Sequence, residues 1–185
     1  MKSAPNVAIV GATGAVGKEF LRLIDERDFP FSELRLLASQ RSAGRKITFQ
    51  DSDHTIIELS DDSLDGIDIA LFSASGSISR EYGPIAAKAG TVVVDNSSAF
   101  RMDPTTPLVV PEINPQEIGS HNGIIANPNC STIVMTVPVW PIHQAVRAER
   151  GGVPTYQASS GAGAAVCSSR TTTTDSCRTS RRSST

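Results

Sequence analysis

Cys130 follows a polar Asn127-Pro128-Asn129 turn and precedes the apolar run STIVMTVPVWPIHQAV. If that run is a helix, the thiol sits at its N-terminus, a position suited to a nucleophile. The open backbone N–H groups there could also hold an oxyanion on an acyl intermediate. The competing reading is a small buried hydrophobe, a common fate of cysteine. Arg101, in VDNSSAFR at 94–101, is a fixed cation whose fork suits phosphate or carboxylate. From spacing alone a surface salt bridge serves it equally well. Asp95, Asn96, Ser97 and Ser98 place hydrogen-bonding groups just before it, at the end of an apolar run. In TYQASSGAG at 155–163, Gln157 offers a donor and an acceptor. Ser160, Gly161 and Gly163 make a loop that either approaches a ligand or is a plain turn.

A nucleophile needs a partner to act on, and two further stretches point to a dinucleotide. GATGAVG at 11–17 follows a continuous apolar run and precedes a helical pattern. Gly11 allows the tight turn, Gly14 lets backbone N–H groups approach a phosphate, and Gly17 allows close helix packing. LLASQRSAG at 36–44 lies where NAD-specific proteins carry an acidic residue for the ribose 2′-hydroxyl. Ser39, Arg41, Ser42 and Arg45 stand there instead, a set that suits the 2′-phosphate of NADP.

The elements that must position these residues alternate. NVAIVGA (6–12), ELRLLAS (33–39), IDIALFSAS (67–75), TVVVDNSS (91–98), PLVV (107–110) and GIIAN (123–127) read as strands, several near-continuously apolar. Helical patterns fill 15–27, with Val16, Phe20, Leu23, Ile24 and Arg27 on one face, and 77–89, stopped by Gly90. Residues 47–59 read as two short strands or a hairpin. The pattern predicts an α/β fold, a Rossmann-like doubly wound parallel sheet over 1–129. The helix after Cys130 should be kinked or interrupted by Pro138 and Pro141. Residues 153–166 suggest a strand, a glycine turn and a helix start. Residues 167–185 hold six Ser, six Thr, four Arg, two Cys and one Asp, so disorder is expected there.

Composition removes other classes. With 39% hydrophobic residues, 19% charged and a net charge of −2, the chain is a poor nucleic-acid or membrane-surface binder. No apolar run approaches the ~20 residues that span a bilayer. The N-terminus lacks the long apolar region of a signal peptide. Three irregularly placed cysteines suit a reducing, cytoplasmic setting. His54, His121 and His143 have no metal-ligand spacing and read as surface or packing residues, so no metal is expected.

Taken in order, VAIVGATGAVG, LLASQRSAG, VDNSSAFRMD, VPEIN, NPNCST and TYQASSGAG resemble the bacterial aspartate-semialdehyde dehydrogenases, from about residue 5 to about 166. The resemblance implies NADPH-dependent reduction of L-aspartyl-4-phosphate to L-aspartate 4-semialdehyde with release of phosphate. It implies that Cys130 forms an acyl-thioester, that Arg101 binds the phosphate group and that Gln157 binds substrate. It implies that Gly11, Thr13, Gly14, Ala15, Val16, Arg41, Ser42, Ser160 and Gly161 contact NADP. It places residues 130–166 at the incomplete start of an α+β catalytic and dimerisation domain, and the full-length family is expected to be homodimeric. The sister N-acetyl-gamma-glutamyl-phosphate reductases share the chemistry but usually carry a Gly-Cys-Tyr type sequence, absent here. The family's second domain should supply a histidine acid/base and a substrate-carboxylate arginine. The resemblance stops at Ala165–Val166, and no histidine follows His143. A truncated or frameshifted chain is therefore expected, poorly stable or inactive, with an inactive NADP-binding fragment as the alternative.

Overall fold

The structure is a computed structural model that describes residues 4–155. By its internal contacts the chain divides at Val137–Pro138 into two units. The first holds β1 (Asn6–Val10), α1 (Ala15–Glu26), β2 (Glu33–Ala38), β3 (Lys46–Phe49), β4 (Ser52–Thr55), β5 (Ile57–Glu58), β6 (Ile69–Phe72), α2 (Gly76–Lys88), β7 (Val92–Asp95) and β8 (Ile124–Ala126). Helix α3 (Cys130–Val146) begins in the first unit and ends in the second.

Six strands form one sheet in the order β5-β2-β1-β6-β7-β8, and every pair is parallel. Numbered along the sheet's own strands, this is the 3-2-1-4-5-6 order of a dinucleotide-binding fold. The order reverses between β1 and β6, so chain leaves their C-terminal ends in opposite directions and opens a crevice there. The apolar runs explain the sheet, because strands covered on both faces carry no polar alternation. In β1, Val7 and Ile9 join Leu34 and Leu36 of β2 against Leu21 and Ile24 of α1. Ala8 and Val10 face the other way, with Leu37, Ala70, Phe72 and Val93, against Ala86 of α2. Both cores are sealed, since Ile9, Leu37 and Phe72 are all 0% exposed.

Residues 47–59 resolve into a β3–β4 antiparallel hairpin plus β5, which joins the main sheet beside β2. The buried residues of α1 are Gly17, Leu21 and Ile24, with Phe20 packed against the core, so the expected face holds at Phe20 and Ile24 but not at Val16, which is 39% exposed. PLVV is not a strand. It makes one parallel bridge, Leu108 to Ala126, with Val109 N donating to the Ala126 carbonyl. Pro107 has no N–H and Pro111 follows closely, so the ladder cannot extend in either direction. Helix α3 is continuous, with Pro138 and Pro141 inside it, so of the kink or interruption expected there the interruption does not occur. Each proline removes one backbone bond, at the Val134 and Val137 carbonyls. On a helix with no buried residue, water can serve both.

In the second unit, Trp140 and His143 stack at 5.8 Å on the last turns of α3. Residues 153–155 carry no strand, and the rest of the expected strand, turn and helix lies outside the described residues, as do 167–185. No described helix is long and apolar enough to cross a membrane.

Candidate functional site

The glycine loop is built by close approaches. Strand β1 runs into Gly11, whose φ is +88°, and a Cβ there would lie 2.4 Å from the Ser73 carbonyl after β6. The N–H groups of Gly11 and Ala12 both donate to the Leu37 carbonyl, at 2.8 and 3.2 Å. The loop is thereby tied to the end of β2. A Cβ on Gly17 would lie 2.4 Å from the Gly11 carbonyl, so α1 starts directly over the turn. Gly14 is the N-cap of α1 and behaves differently, because a Cβ there would meet only the Gly11 carbonyl, at 3.3 Å. Its outer side is open, and Ala15 and Val16 beyond it are exposed. Helix N-termini present N–H groups without intrahelical partners together with a positive dipole end. The arrangement therefore fits a pyrophosphate at Gly14–Val16, with Thr13 half-buried beside it.

Strands β1 and β2 are in register up to Val10↔Leu37, so the segment after β2 lies next to this loop. Residues Gln40–Ser42 form one 3-10 turn. Arg41 is exposed on it, as are Ser39 just before it and Arg45 beyond it. Ser42 is only 6% exposed, and its N–H donates to the Ser39 carbonyl at 2.8 Å. Arg41 is thus presented outward, whereas Ser42 backs the turn that carries it.

The ends of β7 and β8 hold the reactive residues. Asp95 does not face a ligand: it is 0% exposed. It accepts from Ser79 Oγ at 2.7 Å, from Ser97 Oγ at 2.7 Å and from Ser97 N at 3.2 Å. It anchors the β7 end to α2, so of the hydrogen-bonding groups at 95–98 this carboxylate is turned into the fold. Arg101 is half-buried. Its Nε donates to the Asn127 carbonyl at 2.9 Å and its Nη2 to the Asn96 carbonyl at 3.0 Å. Among the described residues no carboxylate pairs with it. Asp103, two residues on, accepts from Thr105 Oγ1 at 2.7 Å and Thr105 N at 2.8 Å. Those bonds, the hydroxyl's first, hold its carboxyl below the usual range.

Asn127 N donates to the Asp95 carbonyl at 2.8 Å, which carries the chain from β8 into the cysteine turn. Asn129 Oδ1 caps α3 by accepting from Ser131 N at 2.9 Å, and it lies 3.8 Å from Cys130 Sγ. Cys130 is the first residue of α3 and is exposed.

All of these loops leave the C-terminal edge of the sheet, where open α/β sheets bind ligands. The structure brings the glycine loop, Arg41, Arg101 and Cys130 to that one edge. Gln157, Ser160 and Gly161 lie outside the described residues. His121 Nδ1 accepts from Gly123 N at 2.9 Å and His54 packs edge-on to Phe49, both packing roles. Among the described residues no group of three or more His, Cys, Asp or Glu could hold a metal ion. Sequence reasoning gave no role to Asn127 and did not foresee that the Asn96 side chain holds it. Their signal was available: each is an asparagine directly after a parallel strand.

Residues 6–121 match the family described as semialdehyde dehydrogenase, NAD binding domain. The chain is 54% identical over 158 residues to an aspartate-semialdehyde dehydrogenase of Bacillus subtilis, covering 85% of this chain and 46% of that protein. It is 56% identical over 161 residues to one of Aquifex aeolicus, covering 85% and 47%. A crystal structure of Vibrio cholerae aspartate semialdehyde dehydrogenase II, complexed with ASA, superposes with a TM-score of 0.77. It is 50% identical, over 80% of this chain and 49% of that one. The chain spans about half the length of the curated relatives it matches.

Proposed function

The chain belongs to the semialdehyde dehydrogenase family, and on that premise we propose that it carries the NADP site and the nucleophile of an aspartate-semialdehyde dehydrogenase. The reaction is reductive dephosphorylation of L-aspartyl-4-phosphate to L-aspartate 4-semialdehyde. The observation that supports it best is an exposed Cys130 on the same sheet edge as the glycine loop, with Arg101 tying the loops after β7 and β8 there.

The Cys130 thiolate attacks the acyl carbon and expels phosphate, leaving an acyl-thioester. Arg101 holds the phosphate group with the guanidinium edge that its backbone contacts leave open. Gln157 orients the substrate. The N–H groups at the start of α3 face the developing oxyanion. Gly11, Thr13, Gly14, Ala15 and Val16 hold the pyrophosphate, Arg41 holds the 2′-phosphate, and Ser160 and Gly161 contact the cofactor. Bound NADPH supplies the hydride that turns the thioester into the aldehyde and returns the thiol. Ser42 supports the Arg41 turn from behind.

A second reading has its own observation. Every residue of α3 is at least partly exposed, although the helix is apolar nearly all round, with Val134 75% and Ile142 55% exposed. Such a helix belongs in a buried place. The chain alone then binds NADP without turnover. Purified chain should be given aspartate semialdehyde, NADP⁺ and inorganic phosphate. Phosphate-dependent NADPH formation supports the enzyme reading. NADP binding without turnover supports the second, and absence of NADP binding sinks both.

Arg41→Ala should raise the NADP Kd by about tenfold or more, the scale of one charge-assisted hydrogen bond. The NAD Kd should change by less than about threefold, because NAD lacks the group that Arg41 meets. Titrations by intrinsic fluorescence read both constants. Equal losses for the two nucleotides would assign Arg41 a structural role.

A further inference from the structure

The loops after β7 and β8 are closed into a ring by three residues. Asn127 Nδ2 donates to Asn96 Oδ1 at 2.7 Å. Arg101 Nη2 donates to the Asn96 carbonyl at 3.0 Å, and Arg101 Nε to the Asn127 carbonyl at 2.9 Å. Nε and Nη2 form one edge of the guanidinium plane, and both are used on backbone. The remaining Nη1 and Nη2 hydrogens form the other fork, and its direction is set by where the two carbonyls stand. Asn127 also opens the turn that delivers Cys130 to the start of α3. The strand pairing alone stops at Asp95↔Ala126, one residue before the ring. Beyond that point the Asn96 side chain joins the two loops directly, beside the Asn127 N to Asp95 carbonyl bond and the Arg101 Nε to Asn127 carbonyl bond.

The geometry points to Asn96 as a positioning residue: its side-chain oxygen holds Asn127, its carbonyl holds Arg101, and the two together set the anion fork and the cysteine turn in one register. Its catalytic consequence rests on the reading of Arg101 and Cys130 given above. Anion binding at Arg101 and presentation of the thiol are then coupled through Asn96. Asp95 supports the ring from beneath, through Ser79 and Ser97, without touching it by side chain.

The test uses the 185-residue chain and three measurements. These are hydrogen exchange at Arg101 Nε–H by NMR, the Kd for inorganic phosphate, and the rate of Cys130 alkylation by iodoacetamide, located by mass spectrometry. Asn96→Ala should speed Nε–H exchange by about fivefold or more at an unchanged thermal midpoint, the scale of one lost hydrogen bond. It should weaken phosphate binding and abolish the effect of phosphate on alkylation. Asn96→Asp keeps the acceptor, so Nε–H protection should return, while its added charge beside Arg101 should still weaken phosphate. Asn127→Ala removes the donor of the same bond and should reproduce the faster exchange, which covers the case of an Asn96→Ala chain that does not fold. Unchanged Nε–H exchange in Asn96→Ala and Asn127→Ala overturns the proposal. Failure of the unmodified chain to bind phosphate would instead overturn the anion-binding role of Arg101, with the ring still judged by exchange.

Discussion

Gly17→Ala is expected to destabilise the chain by about 2–4 kcal/mol, although alanine is the better helix former. Two effects oppose each other. Alanine in a helix gains about 1 kcal/mol over glycine. Against that, its Cβ would stand 2.4 Å from the Gly11 carbonyl, 2.7 Å from Ala12 Cα and 2.9 Å from the Ala12 carbonyl carbon. All three are backbone atoms of the turn, so no side chain can rotate away. Either α1 lifts from the sheet or the turn moves. The turn cannot move freely, since its N–H groups are bonded to Leu37 and Gly11 lies against Ser73. Lifting α1 loosens Leu21 and Ile24 in the core. Gly14→Ala is the control, because its Cβ has only one neighbour and faces outward. It should leave the urea midpoint almost unchanged yet weaken NADP by about tenfold, by filling the space the phosphates need. A Gly17→Ala chain as stable as the original would show that the turn is not rigid.

That contrast marks what was legible in the sequence. Glycine spacing after an apolar run was enough to place β1, the turn and α1, because few other arrangements need three glycines there. The parallel sheet was legible for the same kind of reason: strands such as Val7–Val10 have no polar face to give to water. PLVV was misread because apolar content says nothing about donors, and flanking prolines decide whether a ladder can grow. The α1 stripe was read without Gly17 because glycine carries no hydropathy signal, yet Gly17 is the residue that seats the helix.

The site divided along similar lines. Arg101 was legible as a cation, but not as one with half its fork spent on two carbonyls. That depends on β7 and β8 being neighbours in the sheet, a relation that spans 26 residues of sequence at the Arg101–Asn127 contact. The enclosure of Asp95 was not legible, for the reverse reason. A carboxylate beside two serines looks like a polar site, and only the sheet shows that Ser79 and Ser97 enclose it.

Cys130→Ala is expected to remove the chemistry and leave the cofactor site untouched. On the proposed mechanism, run in the oxidative direction, the thiol would add to aspartate semialdehyde and the adduct carbon would give up a hydride, which NADP⁺ would accept, to leave the thioester. Phosphate would then attack that carbonyl and release the thiolate. Without phosphate the thioester has no fast exit, so it should accumulate on residue 130 and be cleaved by hydroxylamine. Mass spectrometry of the chain with aldehyde and NADP⁺ should find this adduct on Cys130, and none in the alanine variant. Any phosphate-dependent turnover should fall by about 10⁴-fold or more, the scale of losing a covalent nucleophile. The NADP Kd should stay within about twofold, because a truncated side chain at an exposed position removes no packing that holds the glycine loop. The two readouts separate the two functional readings. An adduct on Cys130 requires a competent nucleophile, whereas NADP binding with an unmodified thiol leaves only the binding domain. Turnover that survives in Cys130→Ala would remove the thioester from the mechanism altogether, and with it the reason for an exposed thiol at the start of α3.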